Sequence, residues 1–305
     1  MKFLPPPRAT FSQLRSFEAV ASLGSVTRAA EALHLAQPTV SAQLRELRIG
    51  LGLDLFVPAG RGIQLTDAGR ALLLSVGEMF ASWRAFEDSV GELQGLLRGS
   101  LRIAGVSTTE YFIAQWLKPF AQAHPGIDID LAVENRDAVV QRLERGQDDL
   151  AVMMMPPRHL ALQSLTIMDN PLLLVGPLDH PWAGRRSTPL KQLADQDLLM
   201  RETGSGTRQA TLEFLAEKGI APRMRMALGS NEAIKHAVAA GLGLAILSAH
   251  TLSAQPAREG LSVLPVSGLP IRRRWHLVWR QDRRLPRVAS AFIEFVRKQA
   301  KALPR

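Results

Sequence analysis

The segment Ser25-Val26-Thr27-Arg28-Ala29-Ala30-Glu31-Ala32-Leu33-His34-Leu35-Ala36-Gln37-Pro38-Thr39-Val40-Ser41-Ala42-Gln43-Leu44-Arg45-Glu46-Leu47 decides how the rest of this chain is read. It holds two short helical patterns separated by His34-Leu35-Ala36. In the first, Thr27 is placed to cap a helix from Arg28 to Leu33, and Ala29, Ala30 and Leu33 leave room for a close crossing with a neighbour. In the second, Gln37-Pro38 puts proline in the first turn, where its missing N–H removes no helical bond. Val40, Leu44 and Leu47 then fall on one face, and Thr39, Ser41, Ala42 and Arg45 on the other. Short side chains beside an arginine can reach base edges without steric conflict, which is the make-up of a helix that reads a DNA major groove.

Working outward, Leu14, Phe17, Val20, Ala21 and Leu23 give Phe11 to Leu23 a helical period, with Ser12 as N-cap and Gly24 as its stop. On the other side, Gly52 to Val57 and Pro58 to Thr66 read as two short strands around a glycine-rich turn with Arg61 at its tip. Thr66-Asp67-Ala68-Gly69 then opens a fourth helix. Three helices and a hairpin make a winged helix-turn-helix. In it Gln37, Pro38, Thr39, Ser41, Ala42 and Arg45 are expected to face the major groove, and Arg28 and Arg61 to contact phosphate.

Beyond Gly69, Leu72, Met79, Phe86 and Leu93 recur every seven residues, and so do Val76, Trp83, Val90 and Leu97. The alternating spacing is a coiled-coil seam, and it points to a helix that joins two copies of the chain. The alternative is a helix packed on its own domain. Residues 99–305 alternate strand-like and helix-like stretches, the signature of α/β layers. Leu150 to Met155, with its three methionines, reads as buried strand rather than a thioether metal site, and a second unit begins near Asp169. In open α/β sheets ligands sit beyond strand ends, at helix N-termini. Four such corners stand out: Ser107-Thr108, Asn135-Arg136, Arg201 through Ser205-Gly206-Thr207-Arg208, and Ser230-Asn231. Hydroxyls and arginines there suit a small anion; for each corner taken singly, the alternative is helix capping.

The order of these motifs through Leu51-Gly52, Leu55-Phe56 and Leu65-Thr66-Asp67-Ala68-Gly69 resembles the N-terminal domain of the LysR family of transcriptional regulators. Two departures are the lack of an acidic residue near Arg48-Ile49 and Val57 in place of an arginine. The resemblance implies a winged helix-turn-helix over 11–69 and a linker and dimerisation helix over 70–98. The remaining 99–305 would form an α/β effector domain of two Rossmann-like lobes similar to periplasmic binding proteins. Lobe one is expected at about 99–168 and 268–305, and lobe two at about 169–267. Val106-Ser107-Thr108, Asp169-Asn170-Pro171-Leu172, Asp179-His180-Pro181-Trp182 and Met200-Arg201-Glu202 further resemble regulators of RuBisCO operons. That likeness implies a phosphorylated metabolite bound by Ser107, Thr108, Asn135, Arg201, Ser205, Thr207, Arg208 and Asn231. Expected partners are double-stranded operator DNA, that metabolite as co-inducer, further copies of the chain as homodimer or homotetramer, and RNA polymerase. No other cofactor is expected.

Composition agrees with this. The 305 residues suit two domains, and the absence of cysteine excludes disulfides, Cys-ligated zinc, iron–sulfur centres and a Cys nucleophile. No apolar run reaches the roughly 18 residues of a membrane span, and prolines 5–7 break the place where an export signal would have its apolar core, so a cytoplasmic protein is expected. The net charge of +9 lies almost wholly outside the first 99 residues, which carry ten basic and nine acidic side chains. Arg272, Arg273, Arg274, Arg280, Arg283, Arg284 and Arg287 cluster near the end and read as a solvated basic surface rather than a second DNA site. Against an enzyme, no nucleophile elbow, zinc-protease helix or phosphate-binding loop occurs, and the seven histidines lack metal-ligand spacing. A solute-binding protein would leave residues 11–97 unexplained.

Overall fold

The computed structural model describes residues 8–59, 62–92 and 98–302. Two compact units result, Met1–Arg84 and Ala85–Arg305. In the first, α1 (Phe11–Leu23), α2 (Val26–Leu33) and α3 (Gln37–Leu51) precede a hairpin of β1 (Phe56–Ala59) and β2 (Gly62–Leu65). Thr10, not Ser12, caps α1, because Gln13 three residues on completes a reciprocal pair: Gln13 N donates to Thr10 Oγ1 at 3.3 Å and Thr10 N to Gln13 Oε1 at 2.8 Å. Ser25, not Thr27, caps α2 by accepting from Arg28 N, so that helix begins two residues earlier than its composition suggests. Phe17, Val20, Ala29, Val40 and Leu47 are fully buried, and the Phe17 ring lies 5.4 Å from that of Phe56, tying the helices to the hairpin.

Helix α4 (Asp67–Glu92) is 26 residues long, roughly 39 Å at 1.5 Å per residue. It starts tight against the hairpin, since a Cβ on Gly69 would stand 2.1 Å from the Leu55 carbonyl. Val76 is 1% exposed within the core of Leu14, Phe17, Leu47, Leu55 and Leu73, and Leu72 and Met79 pack on that core. Val76 therefore belongs to its own domain, which corrects its place in the expected seam. One helix face covers the small three-helix core before any partner is needed. Trp83 and Phe86 remain exposed at 49% and 55%. Leu93 and Leu97, like Arg61 on the hairpin, lie outside the described residues, as does the Val90 side chain.

The second unit is a nine-stranded sheet flanked by helices. Its first lobe holds β3 (Gly99–Val106), β4 (Ile127–Glu134) and β5 (Leu150–Met153), with β3 parallel to both neighbours. Helices α5 (Ala114–Ala123) and α6 (Arg136–Arg145) connect them, and α9 (Arg287–Ala302) packs alongside, with the Phe120 and Phe292 rings edge to face at 5.0 Å. The second lobe holds β7 (Asp197–Arg201), β8 (Arg223–Leu228) and β9 (Leu244–Ser248) with α7 (Gly206–Glu217) and α8 (Asn231–Ala239). Two long strands carry the chain between lobes: β6 (Leu162–Pro177) and β11 (Ile271–Arg280), paired antiparallel. A short β10 (Leu261–Val263) pairs with β6. The sequence suggests that a second unit begins near Asp169, and β6 runs through that point as one strand. Asn170 is buried and satisfied there by bonds to the Met154 sulfur at 3.1 Å and from Ser248 at 2.6 Å. Residues that usually punctuate a chain are held in the strand by tertiary bonds. The methionine run begins as the fully buried strand β5, as its composition implied.

Candidate functional site

On the N-terminal unit the outer face of α3 presents Gln37, Pro38, Thr39 and Arg45 exposed, with Ser41 and Ala42 half-buried between them. Gln37 Nε2 donates to Ser41 Oγ at 3.0 Å, which aligns both groups along one ridge. Arg45 has no ion pair among the described residues, so its charge is uncommitted. Arg28 is exposed, with its guanidinium bonded to the Leu23 carbonyl. The C-terminal Gly52 is left-handed, with φ of 68°, and closes the helix where the chain turns toward the hairpin.

In the second unit the starts of α6 and α7 meet the turn at Ser107-Thr108 in one cleft between the lobes, and the start of α8 lies behind it. Asn135 caps α6 by accepting from Ala138 N at 3.0 Å, Ser205 is the N-cap of α7, and Ser230 caps α8. The Arg142–Asp148 pair, bidentate at 2.8 and 2.9 Å, anchors the far end of α6 so that its N-terminus faces the cleft. Val106, Ser107, Thr108, Asn135, Arg136 and Met154 line the first-lobe side, and Arg201, Ser205 and Thr207 the second. Ser205 makes no side-chain cap bond, so its buried hydroxyl is not spent on its own helix. Open space at the scale of a water molecule is only ≈ 20 Å³, about what one water requires.

Arg201, only 3% exposed, organises the site. Its Nε and Nη2 donate to the Glu202 carboxylate at 2.7 and 2.9 Å, its Nη1 to Asn231 Oδ1 at 2.7 Å, and its Nη2 to Ser107 Oγ on the other lobe at 3.2 Å. Asn231 in turn reaches Thr108 at 3.4 Å. It stands behind Arg201 rather than in the cleft wall. Arg208 is turned away. Its guanidinium donates to the Arg201 carbonyl at 2.9 Å and touches the Met224 sulfur, so the cationic lining comes from Arg201 and Arg136 instead. Arg136 is held by the Met155 carbonyl at 2.9 Å. The sequence does not flag Met154 or Trp275, which reach the cleft from strands remote in the chain. Their only local signal is apolar character. Close approach of the lobes also uses Gly204, whose φ is 88° and whose carbonyl accepts from Asp137 N; a Cβ there would meet the Asp137 carboxylate at 3.0 Å.

A second interlobe bond lies beside the cleft. Tyr111 OH donates to Glu232 Oε1 at 2.6 Å, and Lys235 joins Glu232 at 2.9 Å and Glu259 at 3.3 Å. Burial, then the adjacent Glu232, pushes the Tyr111 phenol well above its usual range. Partial burial alone would raise the Glu232 carboxyl. Bonds from Tyr111 and Lys235 and the charges of Lys235 and His236 outweigh that and hold it below the usual carboxylate range. A depressed carboxyl contributes stability above its unfolded value of about 4.3 and loses it as pH falls through the folded value. Thermal melts from pH 6 to 3.5 should therefore show wild type losing stability more steeply below about pH 4.3 than Glu232→Gln. Parallel curves would show that the bond does not latch the lobes.

The architecture, a winged helix-turn-helix followed by a two-lobed ligand domain, defines a ligand-responsive transcription factor. Residues 11–70 match the bacterial regulatory helix-turn-helix protein, lysR family, and residues 94–301 the LysR substrate binding domain. The chain belongs to the LysR family of transcriptional regulators and is not an enzyme. It is 46% identical to the RuBisCO operon transcriptional regulator of Allochromatium vinosum, over 94% of this chain and 95% of that one. It is 38% identical to the transcriptional activator CmpR of Synechocystis, over 94% and 95%. The regulatory domain of Synechocystis CcmR, solved in complex with 2-PG, matches at 37% identity and a TM-score of 0.65, covering 68% of this chain and 99% of that one. The likeness to carbon-fixation regulators thus extends over nearly the whole chain. Among the described residues no helix is long and apolar enough to cross a membrane, and no cluster of His, Asp or Glu could hold a metal ion.

Proposed function

We propose that this regulator controls a carbon-fixation operon in response to a small phosphorylated metabolite of the 2-phosphoglycolate type, bound in the interlobe cleft. The observation that carries the reading is the convergence of hydroxyl- and amide-bearing helix starts from both lobes, Ser107-Thr108, Asn135 and Ser205-Gly206-Thr207, around the buried Arg201. At the start of α7, where Ser205 makes no side-chain cap bond, backbone N–H groups and the positive dipole end favour phosphate, and an arginine fork adds a charge-assisted partner. With so little open space, a metabolite enters only as the lobes part, which breaks the Arg201–Ser107 and Asn231–Thr108 bonds. Ligand binding is thereby coupled to lobe angle, and only such differential affinity can alter DNA binding.

At the other end, Gln37, Pro38, Thr39, Ser41, Ala42 and Arg45 are the proposed base-reading set, with Arg28 and Arg61 on phosphate. A dimer or tetramer assembled through the linker helix would present two or more such helices to operator half-sites, with RNA polymerase as the final partner. Anisotropy titration of operator DNA tests the assignment. Arg45→Ala or Ser41→Ala should cost about 1–3 kcal/mol of specific affinity where either contacts a base, and Arg28→Ala should weaken all sequences alike and flatten the salt dependence. Unchanged operator affinity in both Arg45→Ala and Ser41→Ala would remove α3 from the reading role. Operator binding that no phosphorylated two- to five-carbon metabolite shifts would remove the sensing role.

A further inference from the structure

The arginine run near the C-terminus is not absorbed by the effector cleft. Arg272 and Arg274 alternate with Ile271 and Trp275 along β11, so they and His276 share the strand face opposite to Trp275. Their antiparallel partners on β6 are Pro171 opposite Arg272 and Asp169 opposite Arg274, which places those residues on the same face. Together with Arg273, Pro270 and Met154 they enclose a second cleft with ≈ 660 Å³ of open space, at the scale on which the effector cleft has ≈ 20 Å³. That volume is within the roughly 300–1,000 Å³ of metabolite sites. Arg272 and Arg274 carry its cationic face, with one long ion pair from Arg274 to Asp169 at 3.6 Å, while Arg273, on the Trp275 face of the strand, pairs with Glu213 at 3.8 Å. Arg272 forms no ion pair among the described residues. The cleft therefore carries a net positive charge in a concave setting, which concentrates anions.

We infer that this hinge cleft is a second binding site for a small multivalent anion bearing phosphate or carboxylate groups, separate from the effector cleft. Its walls are the two strands that carry the chain between the lobes, and Met154 lines both clefts. Trp275 faces the effector cleft from between Arg274 and His276, so an anion on one side of β11 acts on the wall of the other. Occupancy of the two sites is then linked through the lobe angle, reciprocally. His276 supports the assignment. Burial, then the charge of Arg274, keeps it below the usual histidine range, and an anion set among Arg272, Arg273, Arg274 and Asp169 would favour its protonation.

Equilibrium dialysis of the full chain with radiolabelled inorganic pyrophosphate at physiological salt tests this. Wild type should bind one more equivalent than Arg272→Ala/Arg274→Ala, whose two exposed substitutions leave the core intact, and Arg272→Glu should weaken that equivalent at least tenfold. If the effector cleft takes no phosphate, wild type binds one equivalent and the double variant none, so failure of the effector reading leaves this result distinct. Equal stoichiometry and affinity in wild type and double variant would overturn the inference. So would saturable binding of polyglutamate with none of pyrophosphate, which would make the cleft a docking surface for an acidic protein.

Discussion

Replacing Arg201 by alanine should lower affinity for the phosphorylated effector by a hundredfold or more. A hundredfold is about 2.7 kcal/mol, which is within reach of one or two charge-assisted hydrogen bonds at roughly 1.5–3 kcal/mol each. The residue is buried and already aimed, with its fork braced by Glu202 and its tip on Asn231 and Ser107, so it is ordered before ligand arrives. Its loss also leaves the Asn231 oxygen without a donor in a dry site, so unfolding free energy should fall by about 2–3 kcal/mol, discounted for the partly exposed Glu202. Arg201→Lys keeps a charge but not the planar fork, and should hold the fold while weakening the ligand about tenfold. Calorimetry on the full chain, with denaturant unfolding alongside, separates the two effects. Wild-type affinity in Arg201→Ala would place the anion elsewhere.

Trp83→Asp should separate the copies of the chain that the linker helix is proposed to join. Trp83 lies against Phe11 with ring centroids 5.5 Å apart, yet half of its surface stays exposed, and Phe86 one turn on is more exposed still. Apolar side chains of this size repeated along one helix call for a partner helix. A carboxylate placed there must be desolvated on association, which costs several kcal/mol and outweighs what the remaining contacts supply. Val76→Asp gives the contrast. Val76 is sealed in the N-terminal core, so its replacement should unfold that domain rather than merely separate subunits. Sedimentation equilibrium with thermal unfolding distinguishes them. A Trp83→Asp protein that stays dimeric and binds operator would exclude this stretch from the interface.

The sequence was legible where the determinants are local. Pro38 early in α3, Gly24 as a stop and the helical period of Leu14, Phe17 and Val20 define the N-terminal fold, although α3 runs on to Leu51, four residues past the expected end. Misreadings are of phase and of distance. Ser12 and Thr27 are good capping residues by type, but Thr10 and Ser25 win because Gln13 and the Arg28 amide lie three positions on. The boundary expected near Asp169 is crossed by a single strand, because Asn170 finds partners at Met154, just past β5, and at Ser248 on β9. The corners at Ser107, Asn135 and Ser205 were readable as helix starts. Which arginine enters the cleft was not, since the turn from β7 into α7 sends Arg201 inward and Arg208 outward, and Trp275 arrives from a strand 70 residues further along. The seam pattern could not separate Val76, which its own domain buries, from Trp83, which it leaves half-exposed.

The proposed role of the interlobe cleft is to recognise phosphate on a small metabolite. Isothermal titration of the full-length protein with 2-phosphoglycolate, and in parallel with glycolate, tests it most directly. Saturable binding of the phosphorylated compound is expected, lost in Arg201→Ala and kept in Arg208→Ala, with glycolate at least a hundredfold weaker. Equal affinity for the two compounds, or binding that survives in Arg201→Ala and fails in Arg208→Ala, would contradict it.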